Sequence, residues 1–282
     1  MAELVRLQKL DKFYTIPAIA QNCINTVNEI LPLVDFDLVV EPSAGNGSFL
    51  NTIDHTNKIG IDISPEAENI IEQDFFDYAP SDPSQRILVI GNPPFGRVSS
   101  LAVRFFNHAA LWADAIAFII PKTFRKTSIQ NRLSLKFHLI RDDDIPDKPC
   151  SFTPPMNVKC CFQVWIKRKN ERETITLPER HDDWEFLKLG PKDENNQPTP
   201  PIGADCALRA YGGKCGQIQT EHLETLRPKS WHWIKSNIPL NILIERFKQL
   251  DYSDSQNTAR QNSIGKKELI QLYVAWINSK LE

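Results

Sequence analysis

Between residues 37 and 166 the chain alternates short apolar runs with polar stretches of helical period. Asp37–Glu41 (DLVVE), Lys58–Asp62 (KIGID), Ile87–Gly91 (ILVIG) and Ala115–Ile120 (AIAFII) are too short for helices. The last two are apolar at successive positions, so neither face of the strand meets water. Strands of that kind belong in parallel sheets covered by helices on both sides. Residues 16–31 and Leu101–Trp112 carry the helical spacing that would supply such cover. Ile70 and Ile71, leading to Gln73-Asp74, read as a further strand end, and Phe137–Ile140 and Phe162–Ile166 as the strands completing the sheet. The expectation is an α/β chain with a mostly parallel sheet.

The 282 residues have room for one such domain and a smaller appendage. We expect the first domain over 1–170. Residues 168–204 are rich in charge, Pro and Asn, including NNQPTPP, and read as a linker or long loops. Short strand-like pieces near Ala207–Ala210, a Gly212-Gly213 turn and a helix at Lys266–Asn278 follow, so 171–282 is expected to be a linker and an appended region. No apolar run is long enough to span a membrane, and the first residues lack the apolar stretch of a signal peptide. The expected location is intracellular, in the cytoplasm or with the nucleoid or nucleus. Six cysteines show no CxxC spacing, which favours free thiols and no metal. Cys160 and Cys161 would face opposite sides of a strand.

Three strand ends carry candidate chemistry. After Glu41 comes PSAGNGSF, a turn of small residues whose glycines let backbone approach a ligand closely. Asp62, about 20 residues on, stands where an acid holds ribose hydroxyls in nucleotide-binding sheets, although Asp62 or Ser64 could equally cap a helix starting at Pro65. Asp74-Phe75 pairs a carboxylate with an aromatic ring suited to an adenine. The strand Ile87–Gly91 leads into Asn92-Pro93-Pro94-Phe95. Two prolines end a strand, but they explain neither the Asn before them nor the Phe after. An amide oxygen and a proline-stiffened carbonyl can accept the two hydrogens of a planar amino group and aim its nitrogen lone pair, while the ring stacks on the base.

EPSAGNGSF resembles the cofactor motif of class I S-adenosylmethionine (SAM)-dependent methyltransferases, in the form found in adenine-specific DNA methyltransferases. NPPF resembles their (D/N/S)PP(Y/F/W) catalytic signature, and Asp11–Pro17 (DKFYTIP) the "YT.P" motif of the gamma arrangement. The resemblance covers residues ~10–170 with the motifs in gamma order. It implies a Rossmann-like sheet with an antiparallel last strand and a small C-terminal target-recognition region. It implies SAM as cofactor, held by Phe13, Tyr14, Thr15, Glu41, Pro42, Ala44, Gly45, Gly47, Asp62, Ile63, Asp74, Phe75 and Asn92. Catalysis would rest on Asn92, Pro93, Pro94 and Phe95, and the activity would be methylation of adenine N6 in DNA, as in restriction-modification enzymes.

The net charge of -2 does not advertise a nucleic-acid binder. A local patch matters more than the sum. Lys122, Arg125, Lys126, Arg132, Lys136 and Arg141 occur with no acid among them. With Arg97 after the catalytic turn and Phe152 in the SFTPP loop, Lys122, Arg125 and Lys126 are the candidates for substrate contact. The expected partner is nucleic acid, DNA before RNA, and not a membrane. A homodimer or a partner subunit remains open. RNA adenine methylation in the same pocket, protein glutamine methylation and a non-catalytic scaffold are the alternatives.

Overall fold

The computed structural model describes residues 12–280. The chain divides into two compact units, one up to Thr174 and one from Ile175. Among the described residues no helix is long and apolar enough to cross a membrane.

In the first unit each apolar run is a strand. These are β2 (Leu38–Pro42), β3 (Lys58–Asp62), β4 (Ile70–Glu72), β5 (Ile87–Gly91), β6 (Ala115–Pro121), β7 (Phe137–Asp144) and β9 (Cys160–Lys167). A short pair, β1 (Tyr14–Thr15) and β8 (Phe152–Thr153), lies apart from them and is antiparallel. The seven-stranded sheet runs β4-β3-β2-β5-β6-β9-β7. All neighbours are parallel from β4 to β6, and β9 is antiparallel to both β6 and β7. This is the sheet of class I methyltransferases that the sequence leads one to expect, with its single reversed strand.

The side-chain period of two explains why the strands are apolar throughout. Val40, Val89, Ile116, Phe118 and Ile120 pack on one face beneath α2 (Ser100–Ala109). Val39, Leu88, Ile90, Ala117 and Ile119 pack on the other, against Ala20, Cys23, Ile24 and Val27 of α1 (Pro17–Ile30). Pro17 opens α1, where its missing N–H costs nothing. Cys160 and Cys161 fall into opposite cores, as adjacent strand residues must. Strand β7 extends four residues beyond the expected Ile140, because Arg141-Asp142-Asp143-Asp144 looks like a loop by composition. It occupies the sheet edge, where charge is tolerated and discourages pairing with other chains. The register slips between Leu139 and Arg141, a bulge that carries the strand past Ile140.

The second unit is built on a four-stranded antiparallel sheet in the order β10-β13-β11-β12, from Trp184–Phe186, Trp231–Ser236, Cys206–Arg209 and Ile218–Gln219. Two helices, α4 (Leu240–Lys248) and α5 (Lys266–Asn278), share a core with Trp184, Leu208 and Ile234. The remaining short helix, α3, spans Thr127–Gln130. β10 lies within the stretch read as linker, and α4 went unread. Tyr273 belongs to this core, and its hydroxyl donates to Asp183 Oδ2 at 2.6 Å.

Phe106 is the test of the α2 face. Its ring meets Phe137 and Trp165 edge-on at 5.7 and 5.4 Å. Truncation to Ala leaves a cavity between helix and sheet, and we expect a loss of about 3–5 kcal/mol in urea unfolding. A loss below about 1 kcal/mol would mean that the helix does not pack there as described.

Candidate active site

Glu41, Asp62 and Asn92 stand at the carboxyl ends of the parallel strands β2, β3 and β5, where open α/β sheets bind ligands. β2 delivers Glu41 and the loop after it. Ser43, Gly45 and Gly47 are all left-handed, with φ of 55°, 54° and 78°. At Gly45 a side chain is excluded twice over: by that φ, and by the Tyr14 ring, which a Cβ would approach to 2.7 Å. β3 delivers Asp62, whose Oδ2 accepts from the Gly45 N–H at 2.9 Å and whose Oδ1 accepts from Ser64 N–H at 2.8 Å. The acid therefore pins the loop and closes the turn at Ser64. The helix expected from Pro65 does not form, because the chain runs through bends and turns straight to β4.

Glu41 has a different place from the one expected. Its side chain is 3 % exposed, and its carboxylate accepts from the backbone N–H of Leu50 at 2.6 Å and of Phe49 at 3.4 Å. It supports the turn from below. Gly91 makes room for it, since a Cβ there would stand 3.2 Å from Glu41 Cγ. Burial pushes the Glu41 carboxyl up to about 8, against the opposing pull of the two N–H groups. Pro42 ends β2, and Ala44 is buried against Leu50 and Ile70. Gly47 donates to the Ala44 carbonyl at 2.7 Å. These three shape the loop.

Two hollows meet at the end of β5. The first, about 490 Å³, is lined by Tyr14, Ser43, Gly45, Asp62 and Ile63, with Lys12 at its rim. The second, about 230 Å³, is lined by Pro93, Phe95 and Met156. Phe13, Asn92 and Pro94 belong to both. The second hollow contains no titratable side chain. Asn92 Nδ2 donates to the Phe13 carbonyl at 3.0 Å. That carbonyl can only accept, so the amide is oriented with its nitrogen toward residue 13 and its oxygen left for another donor. The Phe95 carbonyl accepts from Leu101 and Ala102 N–H at 3.2 and 3.3 Å, which ties the Asn92–Phe95 turn to the start of α2. Between them Gly96, Val98 and Ser99 are left-handed. Val98, a β-branched residue, is rarely so.

Other expected site residues lie elsewhere. Phe75 is 2 % exposed, and its ring stacks on Phe105 at 5.2 Å in the core. An aromatic directly after a strand end was read as a ligand platform, but the sheet turns it inward. Asp74 caps the following turn through a 2.9 Å bond from Phe76 N–H. Phe152 is buried on β8, where it pairs with Thr15, and it packs behind the second hollow. Thr15 is buried with its hydroxyl unpartnered. Lys12 and Ser43 join the site from within DKFYTIP and PSAGNGSF, although neither is among the expected ligand contacts. Met156 is unmarked in sequence and arrives through pairing between distant segments. Asp11, the first residue of the DKFYTIP segment, lies outside the described residues.

The basic run also changes meaning. Lys122 pairs with Asp144 at 2.7 Å, Arg125 with Asp142 at 2.5 Å and Asp144 at 2.8 Å, and Arg141 with Asp143 at 2.7 Å. The three aspartates of β7 thus pair with three of the six cations of a run that looked free of acids in sequence. Lys126 is half-buried in the same region and is also engaged. Arg97 is exposed and has no ion pair among the described residues.

No protein-family model matches the sequence. No curated protein matches it. Solved structures similar to this chain include the 23S rRNA methyltransferase ErmE, with 16 % identity over 54 % of this chain and 68 % of that one and a TM-score of 0.38. Magnesium protoporphyrin IX methyltransferase (ChlM) from Synechocystis PCC 6803, solved with bound SAM, gives 12 % identity over 54 % and 81 % and a TM-score of 0.40. The plantazolicin methyltransferase BpumL, in complex with a monoazolic analogue and SAH, gives 9 % identity over 54 % and 83 % and a TM-score of 0.37. Likenesses this weak leave the fold to be judged from its own sheet order.

Glu41 offers a test by pH. A carboxyl raised in the folded state stabilises the fold fully below its ordinary range and loses that contribution as pH rises through its folded value. The stability of the wild type, measured against Glu41→Gln, should fall between about pH 5 and about pH 9. A difference that stays flat over that range would place the carboxyl at its ordinary value.

Proposed function

We propose that this chain is a SAM-dependent methyltransferase acting on adenine N6 in DNA. The observation that carries the reading is the junction of the two hollows at Asn92 and Pro94. A methyl donor in the larger hollow and an amino group in the smaller one would meet at these residues.

The larger hollow suits SAM. Ile63 is 69 % exposed at its edge, an apolar surface open to a flat ring. Asp62 keeps lone pairs for ribose hydroxyls beyond the two backbone bonds it accepts. The left-handed loop at 43–47 keeps side chains away from the methionine end. When bound, SAM supplies a methyl on a sulfonium, a carbon ready for displacement.

The chain's own part is to prepare the nitrogen. Asn92 Oδ1 and the Pro93 carbonyl accept the two amino hydrogens, and Phe95 stacks on the base. The lone pair of N6 is drawn out of the ring and aimed across the junction. With SAM bound, its methyl would pass to N6 as the bond to sulfur breaks, with one N6 proton lost to water and S-adenosylhomocysteine left behind. The absence of titratable groups from the smaller hollow fits a reaction whose cationic product loses its proton unaided. A base reaches such a hollow only outside its stack. Backbone contacts fall to cations other than the paired Lys122 and Arg125, with Arg97 the candidate nearest the catalytic turn. Target recognition is assigned to the second unit.

A labelled-SAM transfer assay on matched DNA and RNA, followed by nucleoside mass spectrometry, tests the reading. N6-methyladenine in DNA is the expected product, and label confined to RNA would replace the substrate while keeping the pocket. Asn92→Ala should lower kcat by about 10²–10³-fold with little change in SAM affinity, because it removes a contact made in the transition state. Normal turnover in that variant would remove Asn92 from catalysis. Asp62→Ala should weaken SAM binding by about tenfold, roughly 1.4 kcal/mol. An unchanged calorimetric Kd would contradict the ribose role.

A further inference from the structure

The segment before α1 touches both hollows. Lys12, Phe13 and Tyr14 line the larger one, and Phe13 also lines the smaller. One side of this segment is fastened to the substrate half of the sheet. Tyr14 and Thr15 pair with Thr153 and Phe152, and Ile16 N–H donates to the Ser151 carbonyl at 3.0 Å. The other side is fastened to the cofactor half through Glu66 and through Ser64, whose carbonyl and hydroxyl accept from Lys12 Nζ at 3.1 and 3.4 Å. The Tyr14 hydroxyl donates to Glu66 Oε1 at 2.5 Å, and Lys12 Nζ stands 3.1 Å from the same oxygen. Glu66 N–H in turn donates to the Gly45 carbonyl at 2.8 Å. Burial and the neighbouring Glu66 both push the Tyr14 hydroxyl up, so it remains a donor. In the middle of the segment, the Phe13 carbonyl receives the Asn92 amide.

We infer that residues 12–15 form a strap through which the cofactor loop sets the direction of the Asn92 amide, with Glu66 as the positioning residue that anchors the strap. The inference rests on the methyl-transfer reading above. The Tyr14 ring rests against Gly45, and both line the larger hollow. A ligand there meets the two groups that Glu66 joins. Held there, the Phe13 carbonyl admits only the N–H end of the amide, and Asn92 Oδ1 faces the smaller hollow. With the strap loose, the amide rotates and offers either end. The cost then falls on the chemical step and leaves cofactor affinity nearly intact, since Asp62 and the 43–47 loop keep their own bonds.

The test uses the full chain and the variants Tyr14→Phe, Glu66→Ala, their combination and Glu66→Gln. Tyr14→Phe keeps the ring against Gly45 and removes only the hydroxyl. We expect kcat to fall about tenfold in Tyr14→Phe and in Glu66→Ala, because a misdirected catalytic group is costly. The KM for SAM should change by less than about threefold. The double variant should be no slower than Glu66→Ala alone, since that substitution already removes the Tyr14 bond together with the Lys12 pair. Glu66→Gln, which still accepts from Tyr14, should recover most of the rate. Hydrogen–deuterium exchange of the peptide over residues 12–16 supplies a readout apart from turnover. S-adenosylhomocysteine should slow it in the wild type and leave it unchanged in Glu66→Ala. An unchanged kcat, a kcat loss matched by an equal loss of cofactor affinity, or a wild-type strap indifferent to S-adenosylhomocysteine would each overturn the inference. A strap that responds in a protein that methylates no adenine would uphold the coupling and refute the substrate reading.

Discussion

The carboxylate of Asp62 joins three parts of the chain that sequence keeps apart. It ends β3, it receives the Gly45 amide from the loop after β2, and it caps the turn that carries Glu66 toward the strap. Parallel strands place their ends side by side but leave their loops free to splay. A charge accepting hydrogen bonds from two loops removes that freedom with groups that would otherwise need solvent. Glu41 does the corresponding work from beneath, in a setting dry enough that burial outweighs its bonds. The larger hollow is what remains between these two acids and the Tyr14 ring. Its shape follows from supports that mostly do not face it.

This arrangement decides how much of the molecule can be read from sequence. The sheet is legible because burial on both faces leaves strands apolar at every position, as in Ile87–Gly91 and Ala115–Ile120. The strand ends at Glu41, Asp62 and Asn92 are legible because chemistry collects where such strands stop. β7 is half legible: its apolar start reads as a strand, but its aspartates sit on an edge where composition no longer reports burial. The same aspartates undid the reading of the basic run. Lys122 and Arg125 meet their partners 22 and 17 residues away, and a local count of charge has no means of seeing across a sheet.

Phe75 and Phe152 mislead for a related reason. Each is an aromatic at a strand end, a position that suits a stacking platform as well as a core residue. Only the direction of the side chain separates the two, and that direction is set by register. Met156 and Glu66 are the converse, ordinary residues in ordinary surroundings whose importance comes from what lies opposite them. In the second unit, α4 and β10 escaped notice because charged and proline-rich segments surround them, although Phe247 and Trp184 bury as deeply as any residue of the first core.

The reversed strand β9 has a consequence for how such a chain can diversify. Because β7 and β9 are antiparallel neighbours, the segment between them, residues 145–159, leaves and re-enters the sheet at the edge that holds Asn92. It brings β8 to the strap and Met156 to the smaller hollow. The larger hollow takes its loop and its acid from the ends of β2 and β3 and shares Phe13, Asn92 and Pro94 with the smaller one. Replacements around Met156 can thus reshape the smaller hollow while Asp62 and the 43–47 loop keep their bonds. One reversed strand puts a single wall of the smaller hollow on a loop that can vary by itself.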